Sequence, residues 1–115
     1  MARVKTYRNE NDVKAQVKKL LDQHGWLHWA VPMNGFGSSG ISDRNALKDG
    51  VFLAIECKFG SNKPTALQYA YLQNVIHQGG YAFVVHEKNI DALGVWLASK
   101  NGELPERMAF GLLTA

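Results

Sequence analysis

A single cysteine, Cys57, stands in a chain of 115 residues. That excludes an internal disulfide and any zinc site built on several thiolates, and its place in an apolar run reads as a small buried filler. No apolar run approaches the ~20 residues needed to cross a bilayer. The N-terminus lacks a signal-type apolar segment, so a cytoplasmic location is the default expectation. Internal repeats, linkers and low-complexity tracts are missing as well, which leaves one domain over residues 1–115, with a core of about 9–99 and a tail from 100. Basic residues are not gathered in a run: 13 Lys and Arg against 10 Asp and Glu are spread along the chain. A net charge of +3 and a pI near 9.1 suit a polyanion partner without requiring one. The glycine loop Asn34–Gly40 is followed by no GK[ST], so nucleotide binding of the P-loop kind is excluded. Interleaved aromatic and basic strand residues, the usual RNA signature, are absent too.

What is present is a regular alternation of helix and strand signals. Residues 1–8 are basic and unpatterned, either a frayed arm or one that touches phosphates. Asn9 is an N-cap for a helix running to about His24, stopped by Gly25, with Val13, Val17, Leu20 and Leu21 on one stripe. Trp26–Met33 reads as a strand with Pro32 at its end, and His28 as an edge residue rather than a ligand. Asn34–Gly40 is either a plain connection or a place where backbone approaches a bound strand. A hairpin turning at Lys48-Asp49-Gly50 leads into the strand Val51–Lys58. Thr65 caps a second helix that reaches about Gln78 and is closed by Gly79-Gly80. Tyr81–Val85 is a buried strand expected to run parallel to Val51–Lys58 through a right-handed crossover. Ile90 to about Ser99 forms the last helix. His86 and Glu87 read as a solvated strand exit. In the tail, Leu104, Met108, Phe110, Leu112 and Leu113 are available to pack on the domain or on a second subunit. The expected class is α/β, a mixed sheet flanked by helices in the order α-β-β-β-α-β-α.

The chemistry concentrates in Asp43 and in Glu56-Cys57-Lys58. Strand side chains alternate, so Glu56 and Lys58 share a face with Phe52 and Ala54, while Ile55 and Cys57 take the other. A carboxylate and an ammonium on a largely buried strand must be paired, metal-bound or in use. In the plainer reading, Glu56–Lys58 and Asp43–Arg44 are surface ion pairs of little consequence. In the other, they resemble the D…(D/E)-x-K pattern of the PD-(D/E)XK nuclease superfamily. The frame Gly40-Ile41-Ser42-Asp43, Gly50–Lys58, Gln68 and Gly79–Val85 looks like its VRR-NUC branch in the small stand-alone form, over roughly residues 9–93. Ser42 stands where the superfamily's name carries proline.

The resemblance implies a restriction-endonuclease-like core and a DNA endonuclease that uses Mg²⁺, with Mn²⁺ as substitute. Asp43, Glu56 and the main-chain carbonyl of Cys57 would then ligate the ion. Lys58 would stand beside the attacking water, and Gln68 would organise the site. Glu10 would ligate through water or hold a second ion; on the bare sequence it simply complements the helix dipole. A branched DNA such as a Holliday junction is the implied substrate. Cutting two strands symmetrically calls for a homodimer. A phage or mobile-element setting is in keeping with such a small enzyme. From a different class, the same fold would also serve as a DNA-binding or assembly module with little or no turnover.

Overall fold

A computed structural model describes residues 6–31 and 43–99. Expectations attached to residues 1–5, to Pro32 and the glycine loop 34–40, and to the tail from 100 lie outside the described residues. The elements are α1 (Glu10–Gln23), β1 (Leu27–Ala30), β2 (Arg44–Lys48), β3 (Val51–Cys57), α2 (Ala66–His77), β4 (Tyr81–Val85) and α3 (Ile90–Ala98). The order is the expected one, and the four strands form one mixed sheet, β1-β2-β3-β4. The first two pairings are antiparallel and β3–β4 is parallel.

Local chemistry explains the boundaries. The Asn9 side chain accepts the Asp12 N–H at 3.0 Å and starts α1. Its end is a Schellman motif: Gly25, at φ +77°, donates to Asp22 O and Trp26 to Leu21 O. This shortens the first strand relative to the expected Trp26 start, because the Trp26 N–H is already spent on closing the helix. β1 begins at Leu27 and is assigned to Ala30, although Val31 N–H still donates to Asp43 O at 3.0 Å. The Asp49-Gly50 turn takes positive φ at both residues, +51° and +82°, as a two-residue type I′ hairpin demands. α2 starts at a capping box on Thr65 and ends in a second Schellman motif through Gly79 and Gly80. A Cβ at Gly80 would lie 2.8 Å from Val75 Cγ1 and 3.2 Å from Phe52 O, so only glycine fits this close approach of helix to sheet.

The register assigns the two faces of the sheet. Leu53, Ile55 and Cys57 of β3 stand beside Tyr81, Phe83 and Val85 of β4. This face meets α1 and α3, with the Phe83 and Tyr81 rings 4.9 and 5.0 Å from Trp96 and Trp26 at 6.0 Å. Phe52, Ala54 and Glu56 point the other way, towards α2, where Phe52 lines one cavity with Tyr71 and Val75. α2 covers β3 and β4 on that side. Leu27, Trp29 and Leu47, further out on the same face by register, are exposed. Among the described residues no helix is long and apolar enough to cross a membrane.

Candidate functional site

Glu56 lies near the end of β3 with its side chain only 1% exposed, and its Oε2 is 3.1 Å from Lys58 Nζ, itself 14% exposed. The pair is therefore formed but buried, and the surface-pair reading fails for it. Removing two charges from water is costly unless their remaining hydrogen-bonding capacity is satisfied. Here it is not: Glu56 Oε1 is buried and has no hydrogen-bond partner among the described residues.

Asp43 sits one step beyond the Arg44–Ile55 pairing, which brings it opposite Glu56 across the hairpin. It does not pair with Arg44. Its Oδ2 accepts the Cys57 N–H at 2.7 Å, and its Oδ1 lies 3.7 Å from Lys14 Nζ. The hydrogen bond ties the carboxylate to the backbone of the neighbouring strand, just past the last β2–β3 pair. Arg44 instead donates to His28 Nδ1 at 2.8 Å, and His28 Nε2 is 2.6 Å from Asp22 Oδ1. Arginine has only donors, so His28 Nδ1 is the acceptor and Nε2 carries the hydrogen given to Asp22. His28 thus orients Arg44 rather than acting as a ligand.

Glu10 comes to the same place from the first turn of α1. Its Oε2 is 3.3 Å from Lys14 Nζ, and Lys14 therefore stands between Glu10 and Asp43. Sequence reasoning passed over Lys14, although its spacing of four from Glu10 puts both on one helical stripe. Lys14, Asp43, Arg44 and Cys57 also line a common cavity of about 180 Å³ beside Val17, Ala30 and Val31.

The electrostatics follow from this crowding. Burial first, and then the negative charge of Asp43, push the Glu56 carboxyl up to about 7, with Lys58 pulling the other way. Asp43 is also raised, by burial foremost, against the opposing pull of the Cys57 N–H and Lys14. Burial lowers Lys14, but Asp43 and Glu10 outweigh it and hold the ammonium above its ordinary value. Burial, then Asp43 and Glu56, raise the Cys57 thiol far above its ordinary value, so it is protonated and inert, the filler expected of it.

Gln68 takes a local task. Its Oε1 accepts the Thr65 N–H at 2.8 Å while its own N–H goes to Thr65 Oγ1. No hydrogen bond or ion pair joins it to Asp43, Glu56 or Lys58 among the described residues. The Thr-x-x-Gln spacing that carries this capping box is visible in the sequence and competes directly with the active-site role. At the exit of β4, the Glu87 carboxylate accepts the Gly60 N–H, and His86 Nδ1 accepts that of Lys88. Both residues serve turns.

The oxygen donors that could take a divalent cation at the end of β3 belong to Asp43, Glu56 and Glu10. Glu56 Oε1 is buried and unpartnered, the charges of Asp43 and Glu10 act on the same carboxyl, and hard ions such as Mg²⁺ prefer oxygen donors. Among the described residues no three His, Cys, Asp or Glu side chains converge as a ready-made cage. Mg²⁺ does not require one, being held by one or two carboxylates completed by water and substrate phosphate. Comparison of the sequence with protein-family models yields no match, and comparison with curated proteins yields none.

Proposed function

We propose that the chain is a metal-dependent DNA endonuclease that hydrolyses phosphodiester bonds. The observation that carries this reading is the buried Glu56, ion-paired to Lys58 through one oxygen and unpartnered at the other, with Asp43 opposite it on the hairpin. Asp43 and Glu56 would hold Mg²⁺ or Mn²⁺, with the Cys57 carbonyl as a main-chain donor and Glu10 behind Lys14. When bound, the ion supplies Lewis-acid polarisation of the phosphodiester and a water acidic enough to attack at neutral pH. The Asp43–Cys57 hydrogen bond fixes one carboxylate, and the β3 backbone fixes the other, so little reorganisation precedes reaction. Lys58, held against Glu56, is the fixed positive charge for a developing phosphate oxyanion. A branched DNA such as a Holliday junction is the substrate we favour, on the resemblance to the small stand-alone VRR-NUC nucleases.

Incubating the protein with labelled junction, flap and linear duplex in Mg²⁺, Mn²⁺ or EDTA tests the reading. Junction cleavage that needs metal and drops about a thousandfold in Glu56→Ala is expected, since the ion provides several kcal/mol of charge stabilisation. Cutting that survives EDTA or the substitution removes the mechanism. Two symmetric cuts need two sites, and the exposed Leu27, Trp29 and Leu47 offer the surface for a second copy. A monomer by sedimentation at micromolar concentration, with DNA present, would rule that out. The turning of Gln68 into a helix cap favours a second reading, a DNA-binding or assembly module without turnover; junction binding with no cleavage under any metal would select it.

A further inference from the structure

We infer that Lys14 is a built-in cation that occupies the carboxylate cluster of the metal-free protein and must give way when a divalent ion enters. This deepens the metal-binding reading above and rests on it. Lys14 Nζ lies 3.3 Å from Glu10 Oε2 and 3.7 Å from Asp43 Oδ1, bridging the first turn of α1 and the residue that precedes β2. Neither distance is that of a tight hydrogen bond, and the Lys14 side chain is 43% exposed. The ammonium is thus a loosely held occupant with a route to solvent on a flexible stem.

The alternative is that Lys14 makes an ordinary helical pair with Glu10, four residues away, which would matter little. Two observations set it apart. Lys14 also reaches across to Asp43, and Glu56, on which the charges of both Asp43 and Glu10 act, keeps a buried Oε1 that Lys14 does not satisfy. The three carboxylates therefore have a cation beside two of them and an unmet acceptor on the third. A divalent ion bound by Asp43 and Glu56 would face Lys14 at close range, and the two positive charges would repel. Lys14 then swings outward, where it and Arg44, across their shared cavity, present two positive charges to a backbone phosphate.

The test measures metal binding directly. Mn²⁺ is titrated into the full chain, with free Mn²⁺ read by electron paramagnetic resonance and the heat by calorimetry. Wild type is compared with Lys14→Gln, Lys14→Arg, and Lys19→Gln as a control for net charge alone. Lys14→Gln is expected to bind Mn²⁺ about threefold to tenfold more tightly, with Lys14→Arg and Lys19→Gln close to wild type. In Ca²⁺, Lys14→Gln should bind junction DNA more weakly and with a smaller salt dependence, by about one counterion. Unchanged or weaker Mn²⁺ binding in Lys14→Gln, with a native circular dichroism spectrum, overturns the exchange. Asp43→Asn and Glu56→Gln separate the two levels. If both lose Mn²⁺ while Lys14→Gln matches wild type, only the exchange falls. If both bind Mn²⁺ as wild type does, the metal reading falls and takes the exchange with it.

Discussion

On the α1–α3 side of the sheet, Leu53, Ile55, Phe83 and Val85 meet Val13, Val17, Leu21, Leu93 and Trp96, none of them more than 1% exposed. On the α2 side the strands offer mainly Ala54, Ala82 and Val84, and of the whole of α2 only Leu72 is buried. Further out, Leu27 and Leu47 face solvent. One side is a thick apolar core of large side chains; the other is a thin layer that admits a carboxylate and an ammonium. The contrast teaches a division of labour. Close-packed apolar area stabilises the fold from one side, which leaves the opposite side free to hold charges that contribute little to stability or oppose it.

The largest test of this contrast is Trp96→Ala. It should destabilise by about 3–5 kcal/mol in urea unfolding, because three aromatic rings lose their common partner. Leu27→Ser, on the exposed stretch of the other face, should stay within about 0.5 kcal/mol. Similar losses at the two positions would break the asymmetry.

The second test reads the charged side by pH. Folded Glu56 keeps its proton up to about pH 7, whereas the unfolded side chain releases it near 4.5. Folding therefore takes up a proton in that window, and the stability tied to Glu56 is full below about pH 4.5 and is lost as pH rises through about 7. Wild type should lose about 3 kcal/mol relative to Glu56→Gln between pH 4.5 and 8. Saturating Mg²⁺ at pH 8 should recover stability in wild type and not in the variant. A difference that is flat with pH would show that Glu56 is not held against its charge.

The smallest effect concerns Gln68. As a capping residue, its replacement by Ala should cost about 1 kcal/mol, as should Thr65→Ala, and both should leave the proposed metal-dependent turnover of the folded protein alike. A kcat that falls in Gln68→Ala but not in Thr65→Ala would return Gln68 to the active site.

Element order and most boundaries were legible because they rest on local chemistry: the Asn9 cap, the Asp49-Gly50 turn, and Gly25 and Gly79 after the helices. The start of β1 was misjudged by one residue, since periodicity cannot reveal that the Trp26 N–H belongs to a helix terminus. Of the candidate site, the common face of Glu56 and Lys58 follows from strand alternation alone, and the return of Asp43 from the hairpin. The Asp43–Arg44 pair of the plainer reading does not form, because the contact of Arg44, His28, lies on a strand whose pairing register no short-range signal encodes. Lys14 needed the packing of α1 against the sheet to gain meaning. Gln68 carries two signals, of which the structure shows the helix cap it shares with Thr65.

The type I′ turn at Asp49-Gly50 also constrains how this chain can change over evolutionary time. With two turn residues, Asp43 and Glu56 face each other only while β2 and β3 are matched residue for residue. A residue gained or lost in one strand alone reverses the parity of everything beyond it and sends one carboxylate to the opposite surface. Insertions here must come in pairs, one to each strand, or fall inside the turn itself. Sequence divergence in this hairpin is thus open to substitution and nearly closed to length.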